Sequence, residues 1–170
     1  MRPCRRSLCR PRVPLLVSAC LLGVRCTWRG DDNRSPALFR KRGDFVPMLA
    51  VCPECVAGMG VPRPRIWIAD GDGAAVLGDR ARVVREDGAD ITRRLSDACT
   101  FLADLAVRCG VRCAVLKERS PSCGVRRVYN GPRLVSGCGV FTAALRRVGI
   151  RVVSDERFSL QVRVSGKRSR

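Results

Sequence analysis

Eleven cysteines and no histidine dominate the chemically capable side chains of this 170-residue sequence. Cys20, Cys52 and Cys123 lie far apart in the chain, and each comes at or after the end of an apolar segment. Thiolates are soft ligands that favour zinc, copper(I) or iron–sulfur clusters. A structural zinc ion usually takes four ligands from closely spaced pairs, so this wide spacing is untypical of zinc. Three thiolates on a four-iron cluster leave one iron open, and an open iron can act as a Lewis acid on a sulfur atom.

Polar residues beside these cysteines are candidates to support a reaction. Glu54, two residues past Cys52, is the best-placed carboxylate for proton transfer, although it would also suit the first turn of a helix. Residues 120–124 read Ser-Pro-Ser-Cys-Gly, which supplies two hydroxyls and a turn with several N–H groups. Lys117 would attract an anion or lower the pKa of a neighbouring thiol. Glu54 is therefore the candidate for acid/base catalysis, and the candidate substrate- or anion-binding residues are Lys117, Ser122, Gly124 and Arg63.

Other cysteines allow other interpretations. Cys52 and Cys55 form a CxxC pair after an apolar segment, which is also typical of a thioredoxin-like redox site, but Cys20 and Cys123 would then be unexplained. Cys55 is alternatively a spare or fourth ligand, and Cys138 is another residue that could join the site. Ordinary buried core positions are predicted for Cys99, Cys109 and Cys113.

Short apolar segments alternate with helical patterns, which predicts the elements that must position these residues. Long helices are expected from a cap at Asp90 to about Cys109, ended by Gly110, and over residues 139–148. Ser35-Pro36 predicts a short helix through Arg42. Buried strands are expected over 13–19, 45–51, 111–116 and 150–153, and a small hairpin over 66–69 and 82–85.

This alternation predicts a single α/β domain of three layers with a mostly parallel, Rossmann-like sheet. Right-handed crossovers place the carboxyl ends of parallel strands at one edge of the sheet, where ligands of such sheets bind. The loops that carry Cys20, Cys52 and Cys123 each follow one of these strands. We therefore expect the three thiols to converge on one crevice.

The formal charge of +18 is concentrated at the two ends of the chain. Residues 1–14 hold five arginines and no acid, and residues 156–170 are also strongly basic. Both are predicted to be disordered tails around a domain of residues 15–155. Weak, non-specific contact between the tails and nucleic acid is an expected consequence of their charge.

The cysteines and the apolar segments also bear on the compartment. An odd number of cysteines in a chain of this size argues against a full disulfide framework, so a cytoplasmic location is expected. No apolar run reaches the ~18 residues of a membrane span. The segment that ends at Cys20 resembles a lipoprotein cleavage site, but it is short, contains Pro14 and continues into further apolar residues.

Five motifs stand out along the chain: VSACLLG at 17–23, VCPE at 51–54, GMGVPRP at 58–64, VLKERSPSCG at 115–124 and GVFTAAL at 139–145. In sequence and order they resemble the domain of unknown function 523 family, whose characterised relatives are bacterial thiouracil desulfidases. The resemblance covers about residues 13–155. Two places differ from the family pattern: Thr27-Trp28-Arg29-Gly30 replaces an aromatic residue followed by Asp-Gly, and Cys138 stands where a polar or acidic residue is expected.

The resemblance implies a 4Fe–4S cluster held by Cys20, Cys52 and Cys123, with an open iron that takes the thiocarbonyl sulfur of a small thiolated substrate. It also implies that Glu54 is the acid/base that activates water and that Ser120 assists proton transfer. The expected function is desulfuration of a compound such as 2-thiouracil with release of sulfide. A non-catalytic cluster-binding or sulfur-handling protein, associated with RNA through its basic tails, is the alternative.

Overall fold

A computed structural model describes residues 13–39 and 46–158 of the chain. Most of both basic ends lies outside these residues, so the tails, their nucleic-acid contacts and the domain limits stay predictions. The short helix expected through Arg42 begins as a 3-10 turn, Pro36–Leu38, with no side-chain cap from Ser35, and its expected end lies outside the described residues. Within the described ranges no helix is long and apolar enough to cross a membrane.

A parallel four-stranded sheet forms the centre of the fold, in the order β2-β1-β5-β8. The register places Val17 of β1 opposite Ala50 of β2 and Val115 of β5. This arrangement confirms the predicted α/β class, with each expected sheet strand present and four residues long. The strands are β1 (Leu15–Ser18), β2 (Met48–Val51), β3 (Ile66–Ala69), β4 (Arg82–Arg85), β5 (Cys113–Leu116), β6 (Arg127–Asn130), β7 (Arg133–Ser136) and β8 (Arg151–Ser154), and the helices are α1 (Pro53–Val56), α2 (Gly73–Val76), α3 (Thr92–Arg108) and α4 (Val140–Arg147).

Successive strand residues point to opposite faces of the sheet, and two apolar clusters cover those faces. Leu16 and Leu116 belong to the larger cluster, which α3 and α4 complete with side chains such as Leu102 and Phe141. Val17, on the opposite face, packs in a smaller cluster. The smaller cluster also contains Leu21, Leu38 and Val115, with Phe158 packed against it. Among the described residues, Leu21 and Leu38 reach this second face from the short 3-10 turns Ala19–Leu22 and Pro36–Leu38.

Two antiparallel hairpins lie outside the main sheet. The pairing of β3 with β4 confirms the expected hairpin, although the connection between them contains α2, capped by Asp72, rather than a simple turn. The second hairpin, β6 with β7, was not predicted, because its strands are polar and mostly exposed. The α3 helix begins at Thr92, slightly later than expected, and the Asp90 carboxylate accepts a hydrogen bond from the Thr92 N–H at 2.8 Å.

Gly139 lets the start of α4 pack directly against the backbone of the loop after β5. A Cβ at this position would lie 2.7 Å from the Pro121 carbonyl oxygen and closer still to the Ser122 carbonyl. These are backbone atoms, so Gly139→Ala must move the loop or the helix. We expect the free energy of unfolding to fall by about 1–3 kcal/mol, measured by urea denaturation.

Gly60→Ala is the matched control for this substitution. A Cβ at Gly60 would meet only the Pro62 carbonyl oxygen, at 3.8 Å, which is an ordinary van der Waals distance. Its unfolding free energy should stay close to that of the unmodified chain. Equal losses in the two variants would contradict a steric role for Gly139.

Candidate metal centre

The carboxyl ends of β1, β2 and β5 meet at one edge of the sheet. Cys20 lies in the 3-10 turn Ala19–Leu22 that follows β1. Cys52 follows β2 directly and is the N-cap residue of α1. Cys123 lies in the loop that follows β5, and all three residues line one cavity of about 800 Å³.

Burial and neighbouring thiols both affect the protonation of Cys20 and Cys123. Burial raises the pKa of Cys20 to about 11, and the charge of Cys52 raises it further, whereas Lys117 and a hydrogen bond with Asn33 lower it. Burial also raises the pKa of Cys123, and both Cys52 and Cys20 add to that increase. Without a metal these two thiols therefore hold their protons at neutral pH, and metal binding would have to displace them.

The chemistry of the donor set suits an iron–sulfur cluster. Among the described residues, no three Cys, His, Asp or Glu side chains lie close enough together to hold one metal ion. An iron–sulfur cluster places each cysteine on a different iron, so its ligands stand farther apart than those of one zinc ion. Cys20, Cys52 and Cys123 line one cavity, and thiolates are the soft ligands that such a cluster takes.

Two further cysteines contact Cys52. The Cys52 thiol donates to the Cys26 carbonyl oxygen at 3.8 Å, and Cys26 is itself buried at the cavity wall. Burial and the charges of Cys52 and Cys20 raise the pKa of Cys26. The pKa of Cys55 is raised to about 11, first by burial and then by Cys52. Cys26 was not among the predicted site residues; its only signal in the sequence is its place in the same loop as Cys20.

The other four cysteines that the structure describes do not line the cavity. Cys138 donates through its thiol to an Asp72 carboxylate oxygen at 3.4 Å and is not among the described residues that line the cavity. Cys99 is fully buried in the larger apolar cluster, as expected. Cys109, expected in the core, is exposed because α3 ends there, and Cys113 is only partly buried.

The carboxylate of Glu54 is held by two side chains beside the cysteines. Its Oε2 accepts from the Arg63 Nε–H at 2.8 Å, and its Oε1 accepts from the Ser122 hydroxyl at 2.7 Å. Pro53 at the first position of α1 directs the chain so that Glu54 faces the cavity. Both of its oxygens are therefore fixed, in a residue whose side chain remains 14% exposed.

The guanidinium of Arg63 makes its hydrogen bonds to groups of the protein itself. Besides Glu54, it donates to the carbonyl oxygens of Cys26 at 2.8 Å and Gly60 at 3.0 Å, and it lies 4.0 Å from the Cys52 sulfur and 3.9 Å from the Cys55 sulfur. These contacts occupy all of its N–H groups. Arg63 therefore orients Glu54 and places a positive charge beside two thiols, rather than presenting a free donor to a substrate.

The loop after β5 uses most of its polar groups to fix its own shape. The Ser120 hydroxyl oxygen accepts from the N–H groups of Ser122 and Cys123, both at 3.2 Å, which leaves its own O–H as a donor beside the cavity. The Gly124 N–H donates to the Ser120 carbonyl oxygen at 2.7 Å. Ser122, fully buried against Glu54, and Gly124 thus serve the loop and the carboxylate, and neither is among the described residues that line the cavity.

Lys117 faces the cavity from the end of β5. Its ammonium lies 3.3 Å from an Asp155 carboxylate oxygen, and both side chains are mostly buried. The backbone N–H of Lys117 donates to the Ser18 hydroxyl at 3.1 Å, which ties the ends of β5 and β1 together. The ammonium is thus held in place near Cys20.

Aromatic and cationic side chains form the outer wall of the cavity. The guanidinium of Arg65 lies 4.2 Å from the centre of the Trp28 ring, and that of Arg29 lies 5.0 Å from it. Trp67 and Tyr129 line the same region. Trp28 and Arg29 belong to the segment that differs from the family pattern, whereas Arg65, Trp67 and Tyr129 were not predicted from the sequence. A wall of this kind suits a flat, electron-rich ring.

Comparisons with known proteins agree with this architecture. The family model described as 2-thiouracil desulfurase matches residues 15–157. The uncharacterized protein YbbK of Bacillus subtilis strain 168 is 34% identical over 144 residues, which cover 83% of this chain and 95% of that protein. The solved structure of the [4Fe-4S]-dependent thiouracil desulfidase TudS matches with a TM-score of 0.70 and 32% identity, over 90% of this chain and 99% of that one. The family expected from the motifs is confirmed: the chain belongs to the 2-thiouracil desulfurase family.

Proposed function

We propose that this protein is an iron–sulfur-dependent desulfidase that removes sulfur from a small thiolated pyrimidine such as 2-thiouracil. The observation that carries the proposal is the cavity at the carboxyl edge of the sheet, which brings Cys20, Cys52 and Cys123 together with the fixed carboxylate of Glu54. The family model and the desulfidase structure support the same activity.

Cys20, Cys52 and Cys123 are the proposed ligands of a 4Fe–4S cluster. When bound, such a cluster would supply an open iron that acts as a Lewis acid on the thiocarbonyl sulfur of the substrate. The chain's own contribution begins with charge. Arg63 lies beside Cys52 and Lys117 acts on Cys20, so positive groups balance part of the negative charge of the thiolates.

Glu54 is the proposed acid/base. Arg63 and Ser122 each hold one of its oxygens, so the carboxylate keeps a single orientation toward the cavity. A fixed carboxylate can take a proton from a water molecule while that water attacks the carbon that carries the sulfur. The carboxylic acid can then give the proton to the leaving sulfur. Ser120 lines the same cavity, and its O–H is proposed to pass a proton between the substrate and water.

The substrate is proposed to bind between the cysteines and the outer wall. Trp67 offers a flat apolar surface on which a pyrimidine ring can stack. The guanidiniums of Arg29 and Arg65 over the Trp28 ring form the cationic part of this wall. Lys117 offers a cation to a carbonyl oxygen or an anionic ring nitrogen of the base. Gly124 and Ser122 are proposed to shape this region through the loop rather than by touching the substrate.

Anaerobic purification tests both the cofactor and the activity. We expect brown protein with about four iron and about four sulfide per chain, which releases sulfide from 2-thiouracil. Cys20→Ser, Cys52→Ser and Cys123→Ser should each lose most of the bound iron. Cys109→Ser is the matched control, because Cys109 is exposed at the end of α3, and it should retain the full iron content.

Two results would contradict the proposal in different ways. Colourless protein that carries zinc would overturn the cofactor. Brown protein that releases no sulfide from any thiolated pyrimidine would instead favour the alternative of a non-catalytic cluster-binding protein.

A further inference from the structure

A buried carboxylate at the end of β5 takes no part in the chemistry described above. The side chain of Glu118 is 0% exposed, although the residue is among those that line the cavity, together with its neighbours Lys117 and Arg119. Its Oε1 accepts from the backbone N–H groups of Val125 at 3.1 Å, Arg126 at 3.0 Å and Arg127 at 3.0 Å. A single carboxylate oxygen thus gathers three consecutive backbone donors.

These hydrogen bonds join the two ends of the cysteine loop, which we define as residues 119–124. Glu118 directly precedes this loop, and the three donors directly follow it. Inside the loop stand Ser120, Ser122 and Cys123. The side chain of Glu118 therefore closes the loop across its base and limits how far any of these residues can move.

The backbone at the start of the loop is strained. Arg119 has a φ of 69°, which lies in the left-handed region, and residues with a side chain adopt this region only at a cost in free energy. The N–H of Arg119 points back to Glu118 Oε1 at 3.4 Å, and the N–H of Glu118 donates to Asp155 at 2.8 Å. The strained turn is thus kept in place by contacts that centre on Glu118.

The ionised form of Glu118 suits this arrangement. Burial on its own would raise the pKa of Glu118, but the hydrogen bonds from Arg126, Arg127 and Val125 outweigh burial and leave the pKa below its usual value. The second oxygen has no hydrogen-bond partner and lies 3.9 Å from the Arg126 Nε. An anionic oxygen accepts several N–H groups better than the oxygen of a neutral amide does.

We propose that Glu118 is a positioning residue that fixes the cysteine loop, so that Cys123 is presented to the cluster and Ser120 to the substrate. The proposal rests on the proposed function, because it takes Cys123 as a cluster ligand. Glu118 acts through the loop, because its buried carboxylate accepts from the backbone N–H groups that follow Cys123.

Glu118→Gln tests the proposal, because it preserves shape and removes the charge. In metal-free protein we expect iodoacetamide to modify Cys123 at least about tenfold faster than in the unmodified chain, with the rate at Cys20 unchanged, as judged by mass spectrometry of peptides. Amide hydrogen exchange at Val125–Arg127 should accelerate by a similar factor. In the anaerobically loaded protein, a ferrous chelator should remove iron faster.

Glu156→Gln is the matched control. Glu156 pairs with Arg119 and Arg127 on the exposed side of the same region. The substitution therefore removes a nearby charge but leaves the hydrogen bonds of Glu118 in place. Its thiol modification rates should match those of the unmodified chain. If Glu118→Gln fails to fold, Glu118→Asp, which keeps the charge but draws the oxygen away from its donors, is measured in the same way.

A purely structural role would show itself differently. Equal acceleration at Cys20 and Cys123 with a large fall in melting temperature would mean that Glu118 supports the whole fold, and unchanged rates would mean that the loop holds its shape without it. Either result overturns the proposal. If the unmodified chain binds no cluster, the proposed function fails, whereas the modification rates of the metal-free protein still show whether Glu118 fixes the loop.

Discussion

Replacing Glu54 with glutamine should slow sulfide release from 2-thiouracil by about 10²–10⁴-fold while the iron content stays unchanged. The glutamine carbonyl can accept from Arg63, and its NH₂ group can donate to the Ser122 hydroxyl oxygen, so both present contacts have a replacement. The side chain therefore keeps its place but loses the capacity to take a proton. The measurement is steady-state sulfide release alongside iron analysis of the same sample.

Glu86→Gln provides the comparison for Glu54. Glu86 is an exposed carboxylate at the outer part of the same cavity, where its side chain accepts from the Arg65 N–H at 3.3 Å. Sulfide release by this variant should remain within about twofold of the unmodified chain, since surface charges contribute little. Full activity of Glu54→Gln would remove Glu54 from the mechanism, whereas loss of iron in that variant would show that its role is structural.

Arg63→Met is the second substitution with a large expected effect. It should lower the free energy of unfolding of the metal-free protein by about 3–5 kcal/mol, because it leaves a mostly buried Glu54 carboxylate without its ion-pair partner. Side-chain exposure is only 5% for Arg63 and 14% for Glu54, so water replaces little of the lost interaction. The carbonyl oxygens of Cys26 and Gly60 lose their donors as well. Urea denaturation measures the loss.

The same variant should retain little iron, because the cation that faces Cys52 and Cys55 is gone. Arg63→Lys keeps the charge but cannot reproduce the several directed contacts of a guanidinium. Its iron content and unfolding free energy should therefore lie between those of the unmodified chain and those of Arg63→Met. Arg93→Met is the control: Arg93 is 96% exposed and pairs with Asp97 one helical turn away, a pair worth about 0.3–0.5 kcal/mol. Losses of similar size in Arg63→Met and Arg93→Met would contradict the central role of Arg63.

The parts of the fold that depend on local apolar pattern were predictable. Segments such as VPLLVSA and VRCAVL carry their strand signal in consecutive residues, and their alternation with helices is sufficient to indicate a parallel sheet. The β6–β7 hairpin has no comparable pattern, since only Val128 of its strands is buried. It was therefore missed, as were the short helix α2 and the exposed end of α3 at Cys109.

The sequence by itself was sufficient to propose the three sulfur donors and the acid/base candidate. Cys20 and Cys52 follow strands whose carboxyl ends must share an edge, and Glu54 is tied to Cys52 by only two residues of chain. Tertiary structure alone decided how those groups are held: Arg63 turns inward to Glu54 and Cys26, Ser122 is buried against the same carboxylate, and Glu118 closes the loop of Cys123. The physical reason is the distance along the chain between the residues that interact. Strand and helix patterns arise from neighbouring residues, whereas a hydrogen-bond partner depends on which distant backbone or side chain the packed core brings within about 3 Å.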